Sequence, residues 1–132
     1  IQPERWWNGQ HSWGGDAAAF RLDPRAGGCF CEDLGGEGSV EHMRVVLVRP
    51  AALLRMKGAL GPLQGEGLDG ALTIELTATD GGGTTIAWTY VVGGFARYDL
   101  AAIAEPVDAV QSEQLRRLAA LLSTGDANAG IP

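Results

Sequence analysis

A glutamate and a histidine in one predicted hairpin are the side chains of this sequence best suited to chemistry. The segments CFCEDL and SVEHMRVVLV flank GGEG, a pattern typical of two strands joined by a tight turn. With that turn, Glu32 falls roughly opposite Val40. Phe30 falls roughly opposite His42, and the four side chains share one face. A carboxylate and an imidazole placed diagonally can share a proton and act on a bound carbonyl or hydroxyl group.

Other interpretations of Glu32 and His42 stay open. The pair can orient the polar end of a ligand without catalysis, or it can form a hydrogen bond that only stabilises the fold. A register slip of one residue would turn both side chains to solvent. Burial raises the pKa of a glutamate and a nearby imidazolium lowers it, so the sequence leaves that direction open. Glu32 and His42 are therefore catalytic candidates, and no catalytic residue is assigned.

Two cysteines lie in the same predicted strand. Cys29 and Cys31 are separated by one residue, so they project to one face with Cα atoms about 6.5–7 Å apart, near the outer limit for a disulfide. A metal site would need His11 and His42 to converge on them. We therefore expect free thiols, with a metal or redox role as the alternative.

A tryptophan-rich segment, RWWNGQHSWGGD, precedes the hairpin. It holds three of the four tryptophans together with His11 and Asp16. Tryptophans beside glycines suit a flexible lid over an apolar pocket or a surface patch for another protein. Packing of Trp6 or Trp7 under the edge of a sheet is the alternative for either residue.

Composition excludes several classes of function. The net charge of −6 and only 10 Lys and Arg residues among 132 argue against binding to a phosphate backbone. No apolar run approaches the roughly 20 residues that span a bilayer. The sequence has no phosphate-binding glycine loop, G-x-S-x-G elbow, H-E-x-x-H motif or metal-spaced Cys/His cluster. We expect no cofactor, no metal, no nucleic acid and no membrane span.

The remaining pattern predicts a sheet. Residues 17–22 and the segment LLRMKGAL are typical of strands. Alternation over 68–78 places Leu72, Ile74 and Leu76 on one face. Alternation over 84–94 does the same for Ile86, Trp88 and Tyr90, and we expect both sets to face inward. Five or six antiparallel strands follow one another, joined by short glycine-rich turns.

The stretch GALGPLQG is predicted to bend the chain between two of these strands. Pro62 has no N–H to donate and so ends the pairing. Leu60 and Leu63 are expected to fold inward as part of a cavity rim, and the amide of Gln64 either points outward or meets a ligand.

The last segment changes period and predicts one amphipathic helix over 106–122. Its apolar face repeats at three- and four-residue spacing, with Pro106 in the first turn and Asp108 near the N-terminal dipole. Gly125 marks its end, and 125–132 is expected to be a flexible tail. One helix cannot cover both faces of six strands, so the sheet is expected to curl around it and leave a space.

The order of these motifs resembles a known superfamily. The segments PERWWNGQHSWGGDAA, GGCFCE, VEHMRVV, GALGPLQGEG, GALTIEL and TYVVGGF are similar to a bacterial branch of the SRPBCC superfamily. That superfamily has the START-like, birch-pollen-allergen-like helix-grip fold, and the branch includes polyketide cyclases and homologues of the heat-shock-protein ATPase activator. The resemblance implies an α+β domain over 1–124, a curved antiparallel sheet of about six strands around a long C-terminal helix. It also implies that an N-terminal strand and part of a first helix are missing before Ile1.

The resemblance and the inner apolar face together predict binding of a small hydrophobic ligand, such as a lipid, polyketide or aromatic compound. The alternatives are a cyclase- or hydrolase-like enzyme that uses Glu32 and His42, and a co-chaperone-like interaction module. A homodimer is one way to cover the open sheet edge. The cytoplasm is favoured, and the periplasm follows if a signal peptide was removed. The residues expected to contact the ligand are Trp7, Phe30, Glu32, His42, Met56, Leu72, Ile74, Trp88 and Tyr90.

Overall fold

A computed structural model describes residues 2–131 and places six strands in one antiparallel sheet. The strands are β1 (Phe20–Leu22), β2 (Cys29–Asp33), β3 (Ser39–Arg49), β4 (Leu53–Lys57), β5 (Gly67–Ala78) and β6 (Thr84–Phe95), and the helix is α1 (Leu100–Thr124). Each strand pairs with the next along the chain, because short turns connect them. The predicted α+β fold, a curved six-stranded sheet with a long C-terminal helix, is confirmed.

The core lies on the side of the sheet that faces α1. The predicted alternation is confirmed in β5 and β6, where burial rises at every second residue toward that side. The buried cluster joins side chains from five strands to the first segment and is flanked by the second half of α1. Its largest members are Trp6, Trp7, Phe20, Phe30, Met43, Leu54, Met56 and Leu72, with Leu118 and Leu121 packed against them.

A β-bulge in β3 changes the predicted hairpin register. Glu32 lies opposite Val40 as predicted, but Phe30 lies opposite Met43 rather than His42. His42 is therefore the extra residue between two paired positions. His42 and Met43 are consecutive, yet both are buried, at 6% and 1% exposure. The bulge thus brings a polar side chain into the inner face beside an apolar one.

The cysteine prediction is wrong. Cys29 and Cys31 form a disulfide, and their Cα atoms are 5.5 Å apart, closer than an unperturbed strand would hold them. They lie on the face of β2 opposite to the buried Phe30 and Glu32. Within residues 2–131, no group of three or more His, Cys, Asp or Glu side chains is placed to hold a metal ion.

The helix begins earlier than predicted. Asp99 caps it by accepting a hydrogen bond at Oδ1 from the backbone N–H of Ala101 at 3.0 Å. Pro106 therefore lies inside α1 rather than in its first turn. The predicted end is confirmed, because Gly125 adopts φ 84° and its N–H donates to the carbonyl of Leu121 at 2.8 Å.

Flexibility of the tail over 125–132 stays a prediction. Ala127 is buried at 6% exposure, and Asn128 accepts a hydrogen bond from Arg117. Pro132 lies outside the described residues. In the part of the chain from 2 to 131, no helix combines the length and hydropathy that crossing a membrane requires.

Candidate functional site

The first half of α1 lies over a pocket instead of packing directly on the sheet. This pocket, which we name the dyad pocket, has a volume of about 570 Å³. Its walls come from the tryptophan-rich segment, the bend after β4, the inner face of β1–β3 and α1. The lining residues are Trp7, Gln10, His11, Ser12, Trp13, Phe20, Phe30, His42, residues 60–63, Ile103, Pro106, Val107, Val110 and Gln111.

Glu32 and His42 meet at the wall of this pocket. Nε2 of His42 lies 2.9 Å from Oε2 of Glu32, and the two residues are 6% and 1% exposed. The imidazole packs against the rings of Phe20 and Phe30, with centroids 5.3 and 5.2 Å away. His42 lines the pocket, whereas Glu32 lies behind it. The sequence-based pairing is confirmed, with His42 as the member that faces the cavity.

Glu32 also holds the tryptophan-rich segment. Its Oε2 accepts the backbone N–H of Trp13 at 3.0 Å, and its Oε1 accepts that of Gly14 at 2.6 Å. A Cβ at Gly14 would lie 3.0 Å from Oε1, so a larger residue would crowd the carboxylate. The carboxyl group therefore accepts two backbone N–H groups and contacts the imidazole of His42. Glu32 is thus a buried acceptor that joins the segment to the sheet.

The electrostatics of His42 favour a neutral ring. Burial lowers the pKa of His42, and the hydrogen bond and charge of Glu32 raise it by less. The net result is a pKa below the usual histidine range. His42 is therefore uncharged at neutral pH, with one protonated and one unprotonated nitrogen.

The other side of the segment is fastened to α1. Asn8 donates from its side chain to Glu113 at 2.6 Å and from its backbone to Gln114 at 2.8 Å. His11 lies 3.1 Å from the same glutamate. Burial acts to raise the pKa of Glu113, but the hydrogen bonds from Asn8 and His11 outweigh it and hold the pKa below its usual range. The segment thus lies along the pocket as expected of a lid; its opening stays a prediction.

A second cavity, the side pocket, lies between α1 and β6. It measures about 390 Å³ and includes Trp88, Tyr90 and Gln111 in its walls. Trp88 Nε1 donates to Gln111 Oε1 at 3.0 Å. The Tyr90 hydroxyl accepts from the backbone N–H of Leu60 at 2.9 Å and donates to the carbonyl of Gly58 at 3.3 Å. The polar ends of Trp88 and Tyr90 are therefore already engaged in holding α1 and the bend.

A third cavity, the leucine pocket, lies beside the second half of α1. Its volume is about 540 Å³, and its walls include Val48, Leu53, Leu54, Ile74, Leu76, Ile86, Leu118, Leu121 and Leu122. Trp6 lines this pocket and Trp7 lines the dyad pocket, with ring centroids 5.6 Å apart. Trp88 packs edge-on against Trp6 at 6.0 Å. These aromatic rings lie between the two cavities.

The residues predicted to contact a ligand are distributed over all three cavities and the core. Trp7, Phe30 and His42 line the dyad pocket. Trp88 and Tyr90 line the side pocket, and Ile74 lines the leucine pocket. Glu32, Met56 and Leu72 are buried and line none of these three. Ligand contact stays a prediction for each of these residues.

The bend after β4 has the shape expected of it. Leu60 and Leu63 are buried at 9% and 2% exposure, and both line the dyad pocket. Gln64 is exposed, and its amide donates to the carbonyl of Glu41 at 3.0 Å. The leucines are therefore rim residues, and the side chain of Gln64 is engaged by the backbone of β3.

Two helix glutamines were missed as site residues. Gln111 borders both the dyad pocket and the side pocket, and Gln114 is 0% exposed. A signal was present, because Gln114 occupies the apolar face of the helix and Gln111 lies one turn before it. A polar residue on an apolar face indicates a buried hydrogen bond.

Comparison of the chain with protein-family models, curated proteins and solved structures finds no match. The sheet and helix are compatible with a helix-grip shape.

Proposed function

We propose that this chain binds a small, mostly apolar ligand in the dyad pocket. One observation carries the proposal: an apolar pocket of about 570 Å³ whose wall holds a histidine backed by a buried carboxylate. Ligand sites commonly have this size, with apolar walls and a few placed polar groups. The ligand classes that we propose are lipids, polyketides and aromatic compounds.

We also propose membership of the SRPBCC superfamily. The support is the order of the sequence motifs and a six-stranded sheet that faces a 25-residue C-terminal helix. Fold alone does not select among the carriers, cyclases and interaction modules of such a superfamily. The side chains that line the pocket are what distinguishes these classes of function.

Native mass spectrometry of the purified chain, followed by organic extraction, tests the binding proposal. Val110 lines the dyad pocket and the adjacent Ala109 is exposed, so Val110→Trp fills the pocket while Ala109→Trp is a matched control. We expect a stoichiometric apolar compound on the wild type and on Ala109→Trp, and its loss from Val110→Trp. Equal retention by both variants would place the ligand elsewhere and overturn the proposal.

An enzyme is the second candidate, because the pairing of Glu32 and His42 is the arrangement of a general base and its orienting carboxylate. Turnover of cyclic polyketide or ester substrates would be abolished in His42→Gln if His42 acts as the base. Unchanged turnover in that variant would remove this candidate.

We further propose that the long sheet edge pairs with a second copy. Strand β6 is 12 residues long, has no charged residue or proline, and exposes 62% of Val91 and 73% of Phe95. Sheet edges that avoid association usually carry charged residues or proline, and this edge has neither.

Light scattering tests the pairing. Val91→Lys is expected to shift the measured mass from dimer to monomer. Val46→Lys, on an exposed valine of β3, is the matched control; a monomeric wild type would refute the pairing.

A further inference from the structure

The two ring nitrogens of His42 have different surroundings. Nε2 of His42 faces Glu32 at 2.9 Å. Within residues 2–131, no buried side-chain nitrogen or oxygen lacks a hydrogen-bond partner, and no described residue bonds to His42 Nδ1. Nδ1 is therefore not a buried atom. Since His42 lines the dyad pocket, that pocket is where we place the open space beside Nδ1.

The proton on this ring is placed by Glu32. The carboxylate already accepts the backbone N–H groups of Trp13 and Gly14, so it is an acceptor toward His42 as well. A carboxylate oxygen 2.9 Å from Nε2 requires a proton on that nitrogen, because two lone pairs would otherwise face each other. In a neutral ring the other nitrogen then has none. Nδ1 is thus a hydrogen-bond acceptor.

We propose that the dyad pocket selects a neutral ligand with a hydroxyl group, a phenol or an alcohol, whose O–H donates to Nδ1 of His42. This inference rests on the proposed function and names the chemical class of the ligand. The apolar walls contact the body of the molecule, and the single acceptor fixes its hydroxyl end. A carboxylate ligand is disfavoured, because its oxygens would face the lone pair of Nδ1 and would lose their hydration in an apolar pocket.

The opposite wall supplies a donor. Gln111 Oε1 accepts the indole N–H of Trp88, which leaves the amide nitrogen of Gln111 without a described partner. Gln111 is 7% exposed, and no buried side-chain nitrogen or oxygen within residues 2–131 lacks a hydrogen-bond partner. The amide nitrogen of Gln111 is therefore not a buried atom, and we place it at the open space of the pockets that Gln111 lines. A ligand with a hydroxyl at one point and a carbonyl or ether oxygen at another would satisfy both walls.

Three naphthalene compounds with the same ring system test the selection by calorimetry at about pH 7.5. 2-Naphthol can donate a hydrogen bond, 2-methoxynaphthalene can only accept one, and 2-naphthoate is an anion. We expect 2-naphthol to bind about fivefold more tightly than the ether and about 50-fold more tightly than the carboxylate. Equal affinities, or a preference for the ether or the anion, would overturn the selection while leaving the pocket in place. Absence of binding by all three would instead overturn the proposed function.

Glu32→Gln should weaken the preference. One terminal atom of the new side chain is an NH₂ group, so either Trp13 or Gly14 loses its acceptor, and an NH₂ group in the place of Oε2 donates to Nε2 of His42 and moves the ring proton to Nδ1. Nδ1 donates in the molecules with that arrangement, and 2-methoxynaphthalene should lose part of its disadvantage to 2-naphthol. A misfolded protein would lose binding to both compounds, whereas a change of proton position alters their ratio.

Nitrogen-15 spectra of the histidine rings provide a readout that needs no ligand. The chain has two histidines, so the signals missing from His42→Gln identify the ring of His42. We expect a protonated Nε2 and an unprotonated Nδ1 in the wild-type protein at neutral pH. A protonated Nδ1 would overturn the inference even if the three compounds bind.

Discussion

The dyad pocket and the leucine pocket are nearly equal in volume, about 570 and 540 Å³, and both lie between the sheet and α1. They differ in their walls. The dyad pocket contains His42, fixed by Glu32, whereas the leucine pocket is aliphatic and its charged residues are arginines. An apolar cavity by itself does not indicate a ligand site, because a core that is incompletely covered also leaves such a cavity. Our proposal of a ligand in the dyad pocket therefore rests on His42 and its hydrogen bond to Glu32, and not on the volume.

The cause of the difference lies in one strand. Strand β3 has two bulges, one that leaves His42 as the extra residue and one that does so with Val46. The first lies beside Glu32 and places an imidazole among buried residues. The second leaves Val46 46% exposed and adds no polar group to the inner face. The same backbone irregularity therefore creates a site only where the extra residue can be paired.

Removal of the carboxylate of Glu32 should produce the largest effect. Glu32→Ala leaves the N–H groups of Trp13, Gly14 and His42 without an acceptor. We expect the free energy of unfolding in urea to fall by about 3–5 kcal/mol. Glu75→Ala, on an exposed glutamate of β5, should stay within about 0.5 kcal/mol of the wild type. A similar small loss for both would mean that Glu32 is not the buried acceptor described above.

The leucine pocket should respond as a packing site. Leu118 is half-buried in its wall, so Leu118→Ala should cost about 2 kcal/mol of unfolding free energy, near the low end for such changes. The affinity of Leu118→Ala for 2-naphthol should stay within twofold of the wild-type affinity. The compound is proposed to bind in the dyad pocket, and the rings of Trp6 and Trp7 lie between that pocket and Leu118. A large loss of affinity in this stable variant would show that the two cavities act as one.

The sequence predicted the wall of the dyad pocket better than its chemistry. Strict alternation over 68–78 and 84–94 and the leucines of the bend follow from local periodicity and turn chemistry, so they could be deduced. The bulge at His42 could not, because the stretch EHMR has no glycine or other local mark of one. It changed the neighbour of Phe30 without disturbing the face that His42 shares with Glu32.

Long-range hydrogen bonds escaped prediction for a related reason. The backbone donors of Trp13 and Gly14 reach Glu32 across 18 or more residues, and local patterns carry no information about such partners. The start of α1 escaped because Pro106 was assigned to a first turn. Asp99 was the available signal, since an aspartate before an apolar periodic run is a typical N-cap.

Reduction of the disulfide should lower the stability of the fold moderately. The disulfide lies on the outer face of β2, opposite to Glu32. The loop closed by Cys29 and Cys31 is very short, so loop-closure entropy predicts a loss of about 1.5 kcal/mol. Thermal unfolding with and without a dithiol reductant measures it. The double variant Cys29→Ser with Cys31→Ser should be insensitive to the reductant. An equal shift of the wild type and the double variant would mean that the reductant acts elsewhere.

Acidification should have the smallest effect on stability. The effect should depend on the dyad pocket and not on the leucine pocket, because of the two only the dyad pocket contains a histidine with a shifted pKa. The pKa of His42 is lowered in the folded chain, mainly by burial. As the pH falls below about 6.5, the unfolded chain takes up this proton first, and stability decreases by at most about 1.4 kcal/mol per pH unit. The contribution of neutral His42 to stability is therefore present above the pKa of the unfolded chain and is lost as the pH falls toward the pKa of the folded chain.

The variant His42→Gln tests this expectation. Its side chain can still donate to Glu32 but does not titrate, so its free energy of unfolding in urea should change less between about pH 7 and 5 than that of the wild type. Leu118→Ala should keep the wild-type slope, because it removes packing and no proton site. Equal slopes for the wild type and His42→Gln would mean that His42 keeps an ordinary pKa in the folded chain, and the distinction between a titrating pocket and an inert one would fail.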